Sequence, residues 1–178
     1  MSSHENILNL ETRLRSERAL PLIMSADDAA RLITDGMAVG ISGFTNGRKV
    51  KIALYSGASV GPEVDTELTE AGAIAKRIPY QTNSALRKAI NDGKVGYVDM
   101  HLGRSPEFIA AGHVRKPDIA LVEALAITED GHLIPTTSVG NTPTYVAEAD
   151  AVIVEIAMSK PLALEGMADV YMCQKPPC

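Results

Sequence analysis

Tryptophan is missing from the chain, and phenylalanine occurs only twice in its 178 residues. The core therefore has to be built from Ala, Val, Ile and Leu, side chains that suit buried strands and the helices packed on them. Positive charge is also in short supply: 17 Lys and Arg stand against 22 Asp and Glu, a net charge of −5. With no basic footprint, nucleic acid is excluded as the main partner. No apolar run approaches the roughly 20 residues of a membrane span. The opening stretch MSSHENILNLETRLRSERAL is charged and lacks the apolar centre of a signal peptide, so the chain reads as cytoplasmic with no membrane partner. Both cysteines, Cys173 and Cys178, fall in the last six residues and read as free thiols on a loose tail. Neither they nor His4, His101, His113 and His132 have ligand-like spacing, so no metal is expected. Gly-x-Gly-x-x-Gly, Walker A and Gly-x-Ser-x-Gly sequences are all absent, which removes support for nucleotide binding of those types and for a nucleophile elbow.

What is present is a globular composition, 46% apolar, in a chain long enough for one domain with a real core. Ile7 to Leu20 has a helical stripe (Ile7, Leu10, Leu14) closed by Pro21. Ser25 suits an N-cap, with Asp28 at the capping-box position, Ala29, Leu32 and Ile33 as the apolar stripe and Gly36 as the stop. Strands follow at Met37–Ile41 and Lys51–Tyr55. Pro62–Ala71 reads as a helix stopped by Gly72, and Ile78–Gln81 as extended. Asn83 or Ser84 caps a helix ended at Asp92-Gly93. Val95–Leu102 reads as a strand, and Ser105 caps a short helix to Ala111. Asp118–Ile127 is nearly all apolar and reads as a central strand, Ala151–Ile156 as another buried one. Helix, glycine stop, strand and Gly/Ser/Thr loop recur, which is the grammar of an α/β fold: a mainly parallel open sheet with flanking helices.

The first strand closes in Ser42-Gly43-Phe44-Thr45, and only about six residues, Thr45 to Val50, then remain before the second. A parallel pair ordinarily needs a crossover of roughly a dozen residues or more. Either these strands form an antiparallel hairpin, or the usual connecting helix is absent. Three polar loops leave strand ends, Ser42–Thr45, Ser56–Gly61 and Thr136–Asn141, and ligands in open α/β sheets bind at the carboxyl ends of strands. The third lies in the stretch TEDGHLIPTTSVGN (Thr128–Asn141). It combines an Asp130-Gly131 turn, a short extended run and five small or hydroxylated residues, with Pro143 placed to start a helix. Short hydroxyl side chains and a glycine let the backbone approach an oxygen-rich ligand closely. Two acids, Glu123 and Glu155, stand in apolar strands and have to be paired or placed at a strand end. Arg77, Arg87, Lys88 and Arg104 could meet a phosphate or simply form a solvated face. His101 reads as a hydrogen-bonded strand residue.

Four segments carry a resemblance: YSGASVGPEVD (Tyr55–Asp65), RIPYQTNSALRKAINDGKVGYVDMHL (Arg77–Leu102), KPDIALVEALAITEDGHLIPTTSVGNTPT (Lys116–Thr144) and SKPLALEGMADVY (Ser159–Tyr171). Together they resemble the acetyl-CoA hydrolase/transferase family, from about Met24 to Pro177, closest to its succinyl-CoA:acetate and propionyl-CoA:succinate members. The resemblance implies an N-terminal half with the CoA-transferase type of α/β fold, an architecture broadly shared with small-sugar isomerases. It implies coenzyme A as substrate, with acyl-CoA and a short carboxylic acid as the molecules acted on. The family's reaction runs through a glutamyl-CoA intermediate, in a homodimer or by association with the second half of the protein. That half carries the nucleophilic Glu, so none is transferred to Glu123 or Glu155. Gly43, Phe44 and Thr45 resemble the family's Gly-Phe-Thr loop; Ser138, Val139, Gly140 and Asn141, with Thr137 before them, resemble its Ser-(Val/Ile)-Gly-Asn loop. Both line the acyl side of the cleft in the family. The expected organisation is an N-terminal helical segment over 1–22, an α/β domain over 23–171 with a deletion near 46–50, and an irregular tail over 172–178. The tail fits a truncated reading frame or an incomplete sequence, and a half of this kind is expected to be inactive alone.

Overall fold

The computed structural model describes residues 10–42, 50–57, 62–137 and 139–168. The chain divides into two compact units, a larger one (Met24–Val122 and Gly140–Ile153) and a smaller one (Met1–Ile23, Glu123–Val139 and Val154–Cys178).

In the larger unit β1 (Ala38–Ser42), β2 (Ile52–Ser56), β3 (Ile74–Ile78), β4 (Gly96–Tyr97) and the first half of β5 (Ile119–Ile127) lie in the order β4-β3-β2-β1-β5. Every neighbouring pair in that order is parallel. The hairpin alternative for β1 and β2 is therefore overturned: Gly40 stands opposite Tyr55 and Ile41 opposite Ser56, in parallel register.

The helix signals act as expected. α1 (Ala26–Arg31) is capped by Ser25, whose hydroxyl accepts from the Asp28 N–H, and α3 (Ser84–Asn91) by the Asn83 side chain, which accepts from the Leu86 N–H. α2 (Pro62–Glu70) ends before Gly72, at φ 67°. Leu68 of α2, with Leu86 and Ala89 of α3, packs on Val39, Ile41, Ile52, Leu54 and Ile74, alternate residues of β1 and β2 with the first of β3. Because successive strand residues face opposite ways, Gly40 lies on the other side of β1. There it meets α5 (Thr142–Glu148), which packs beside α4 (Ser105–Ala110).

Several boundaries differ from the sequence reading. The extended segment is Ile74–Ile78, not Ile78–Gln81, and β4 keeps two residues of the expected Val95–Leu102 strand. Ser105 is the first residue of α4, with Arg104 at the cap position. His101 is an exposed residue whose Nδ1 accepts from the Gly103 N–H at 3.1 Å, at the start of a single turn over Leu102–Arg104. β7 (Ala151–Ile156) is half-exposed, with Val152 37% accessible.

In the smaller unit the second half of β5 pairs antiparallel with β6 (Leu133–Pro135), Ile127 opposite Leu133, after a turn in which Gly131 takes φ 85°. Of the expected helix only Leu10 and Glu11 are helical in the described part, with the Leu14 N–H donating to the Leu10 carbonyl, and the helix stops there: Leu14 bridges Ile127, the Arg15 N–H donates to the Ile127 carbonyl, and the Ile127 N–H donates to the Arg13 carbonyl. Pairing with a strand satisfies backbone groups that a helix would have paired locally, and tertiary contact overrides the helical stripe. Arg13 is buried, and its guanidinium donates to the carbonyls of Leu125, Ala157 and Lys160.

Candidate functional site

Two of the three polar loops leave parallel strands side by side, after β1 and after β2. The third does not share that geometry, because β6 runs antiparallel to β5. The expectation of three loops at the carboxyl ends of parallel strands is thus corrected to two. Of the expected substrate residues, Gly43, Phe44, Thr45 and Ser138 lie outside the described residues. Thr137 is exposed and Val139 half-buried in the smaller unit; Gly140, at φ 49°, and half-buried Asn141 belong to the larger.

In the larger unit Asn141 occupies the cap position of α5, with Pro143 in the first turn, as the sequence suggested. Its side chain makes no capping bond. Its amide Nδ2 instead donates to Ser105 Oγ and to Tyr145 Oη, each at 3.4 Å. Ser105 is 1% exposed and Tyr145 fully buried. Burial pushes the Tyr145 phenol up from its ordinary pKa, and the nearby Asn141 amide, the Arg77 charge and Ser105 only partly oppose that. The phenol is therefore a neutral hydrogen-bonding group across the physiological range. The ring has its place because residue 40 is glycine: a Cβ there would stand 2.8 Å from the Tyr145 Cγ.

Next to this cluster is a buried ion pair. Arg77 of β3 and Asp65 of α2 are both inaccessible, with Arg77 Nε donating to Asp65 Oδ1 at 3.3 Å and Arg77 Nη1 to the Ile78 carbonyl at 2.7 Å. Arg77 is thus a structural cation and not part of a solvated face. Arg87, Lys88 and Arg104 are exposed, Lys88 paired with Asp92 and Arg104 with Glu107. Tyr55, at the end of β2, is also buried, and burial raises its pKa.

In the smaller unit Glu123 meets the demand placed on an acid in an apolar strand: Thr136 Oγ1 donates to its Oε1 at 2.5 Å. Thr136, buried, is the first residue of the Thr136–Asn141 loop. Glu155 is exposed. Among the described residues no cluster of His, Cys, Asp or Glu could hold a metal, and no helix is long and apolar enough to cross a membrane.

Sequence reasoning missed Ser105 and Tyr145 as partners of Asn141, and Asp65 as the partner of Arg77. The Tyr145 signal was present but indirect: a glycine in the middle of an apolar strand marks a close approach by something large. Nothing local marked Ser105.

Similarity to known proteins bears on the family and the fold. A family model described as the acetyl-CoA hydrolase/transferase N-terminal domain matches residues 45–176. A succinyl-CoA:acetate CoA-transferase of Clostridium kluyveri is 46% identical over 185 aligned residues, which take in 94% of this chain and 34% of that protein. A propanoyl-CoA:succinate CoA transferase of Escherichia coli is 33% identical, over 86% of this chain and 36% of that one. An acetyl-CoA hydrolase of Saccharomyces cerevisiae is 31% identical, over 94% and 37%. The chain spans about a third of the length of these relatives. Among solved structures, RipA of Yersinia pestis (TM-score 0.54, 15% identity, 84% of this chain and 37% of that one) has a similar fold. So has a malonate decarboxylase alpha subunit of Acinetobacter baumannii (TM-score 0.54, 16% identity, 86% and 32%).

Proposed function

The chain belongs to the acetyl-CoA hydrolase/transferase family, and from that premise we propose that it forms the acyl side of a CoA-transferase. Coenzyme A moves from an acyl-CoA to a short carboxylic acid of the acetate, propionate and succinate class. The observation that carries this reading is the 46% identity to a succinyl-CoA:acetate CoA-transferase across almost the whole chain. In this reading a glutamate carboxylate, contributed by sequence beyond the matched third, attacks the thioester carbonyl and expels the CoA thiolate. The thiolate then attacks the glutamyl carbonyl of the resulting anhydride, releasing the first acid and leaving glutamyl-CoA. The acceptor acid reverses the sequence.

The role of this chain is to bind and shield. By their resemblance to the family's loops, Gly43-Phe44-Thr45 and Thr137 to Asn141 are the segments proposed to contact the acyl group, where backbone N–H groups beside small side chains suit carbonyl oxygens. The connection between β1 and β2 carries a deletion in this reading. The alignment to the Clostridium protein covers 185 positions, more than the 178 residues of this chain, so the relative has residues without counterparts here.

The test is reconstitution. The chain alone should not move CoA from succinyl-CoA to acetate. Mixed with a separate polypeptide carrying the remainder of a related transferase, it should do so and should co-purify with it. Turnover by the chain alone at the rate of an intact family enzyme would overturn the assignment of the nucleophile. The hydrolase reading is favoured by relatives such as the Saccharomyces protein; it predicts release of CoA from acetyl-CoA with no acceptor acid added.

A further inference from the structure

We infer that Tyr145 and Ser105 are positioning residues: they grip the side-chain amide of Asn141 and thereby fix the Gly140–Asn141 turn of the proposed substrate loop. The inference rests on the reading of Thr137 to Asn141 as an acyl-pocket wall, and says what holds that wall in place.

Asparagine is among the best helix caps, because its side-chain oxygen can accept from an N–H of the first turn. Asn141 stands at the cap of α5 and forgoes that bond. A local preference left unused is a sign that another requirement has won. Here the amide is turned sideways to Ser105 Oγ and Tyr145 Oη. Both partners are almost wholly buried, so neither hydroxyl is an accidental surface contact. Tyr145 cannot retreat, since its ring lies against Gly40 of β1. The contacts run from the middle of a buried strand, through an aromatic ring and its hydroxyl, to the residue that ends the loop. Gly140 contributes the other half of the turn: at φ 49° it takes the left-handed conformation that side chains resist. Burial keeps the phenol protonated, so the grip does not loosen near neutral pH.

The test uses Tyr145→Phe, which keeps the ring against Gly40 and removes only the hydroxyl, with Ser105→Ala and Asn141→Ala as companions. Acetyl-CoA binding to the 178-residue chain is measured by calorimetry. The side-chain amide of Asn141 and the backbone amides of Val139 and Gly140 are followed by NMR. Tyr145→Phe should move the Asn141 amide signals toward those of a free asparagine and shift the two backbone amides. It should weaken acetyl-CoA by about three- to tenfold, the range of one hydrogen bond. The double variant Asn141→Ala/Tyr145→Phe should bind no worse than Asn141→Ala alone, since both changes break one linkage. A lowered melting temperature with unchanged Asn141 signals overturns the inference, and so does full additivity in the double variant. If the wild-type chain binds no acetyl-CoA, the substrate reading fails at this chain alone, while the amide signals still decide whether Tyr145 holds Asn141.

Discussion

Gly40 and Tyr145 fit each other to the limit of contact: a Cβ on residue 40 would lie 2.8 Å from the Tyr145 Cγ and 3.0 and 3.1 Å from the two Cδ atoms. Those are the near edge of a rigid ring and not the far end of a flexible chain. Gly40→Ala therefore forces the ring, or α5 with it, away from β1. Overpacking of this kind costs about 1–3 kcal/mol. Urea denaturation should show the loss as a lower midpoint with an unchanged slope; an unmoved midpoint would mean that the ring has room to yield.

Asp65 and Arg77 are each fully inaccessible, and each keeps one side-chain atom, Asp65 Oδ2 and Arg77 Nη2, without a hydrogen-bond partner among the described residues. Two buried charges rely on a single 3.3 Å contact and on the bond from Arg77 to Ile78. Removing one partner leaves the other charge buried, at a cost of about 3–5 kcal/mol. Asp65→Asn should thus unfold at markedly lower denaturant. The paired change Asp65→Leu/Arg77→Met should recover most of the loss, as a double-mutant cycle would measure.

Alkaline pH offers a separate probe of Tyr145. Its folded pKa is raised, first of all by burial. Below the ordinary tyrosine pKa of about 10 the phenol is protonated in folded and unfolded chains alike, and stability does not depend on it. As pH climbs past that value the unfolded chain loses the proton and the folded chain keeps it, so stability falls. Tyr55 and Tyr97, also raised by burial, add to the fall. Tyr145→Phe should flatten the decline in unfolding free energy above about pH 9.5 and leave the neutral region nearly unchanged. Equal alkaline slopes for both proteins would exclude Tyr145 as a source.

Arg13 is the fastening of the N-terminal segment within the smaller unit, donating to three carbonyls from two stretches of chain. Arg13→Met keeps much of the length and loses the donors, a loss of about 1.5–3 kcal/mol for bonds to a charged group. Limited proteolysis should then cut near residues 10–20 well before the rest. Arg13→Lys should restore only part of the protection, because a single ammonium cannot reproduce the planar fork.

Where a structural decision is made by neighbours along the chain, the sequence displayed it. The Ser25/Asp28 and Asn83/Leu86 caps, the glycine stops and the apolar run of β5 all fall near their expected places. Where the decision depends on a distant residue, the local pattern misled or was silent. Leu10 and Leu14 have helical spacing, and the Leu14 N–H does donate to the Leu10 carbonyl, yet on either side of Leu14 the Arg13 carbonyl and the Arg15 N–H turn to Ile127. Arg77 read as a phosphate contact or part of a solvated face, because its buried counter-charge, Asp65, lies on a separate element, α2. In the candidate site the loop was legible from its glycine and hydroxyl residues. Its supports were not: Ser105 and Tyr145 matter through a fold that brings 105, 141 and 145 together, and only Gly40 hinted that something bulky had to fit.

The parallel register of β1 and β2 has one further consequence. Ile41 faces Ser56 across the ladder, so the segments starting at Ser42 and Gly57 set out from adjoining strands, about 4.8 Å apart. Substitutions in the two segments should consequently behave as linked characters and not as independent ones. A residue transplanted from a relative into either segment alone carries a demand that its neighbour across the rim has not been altered to meet.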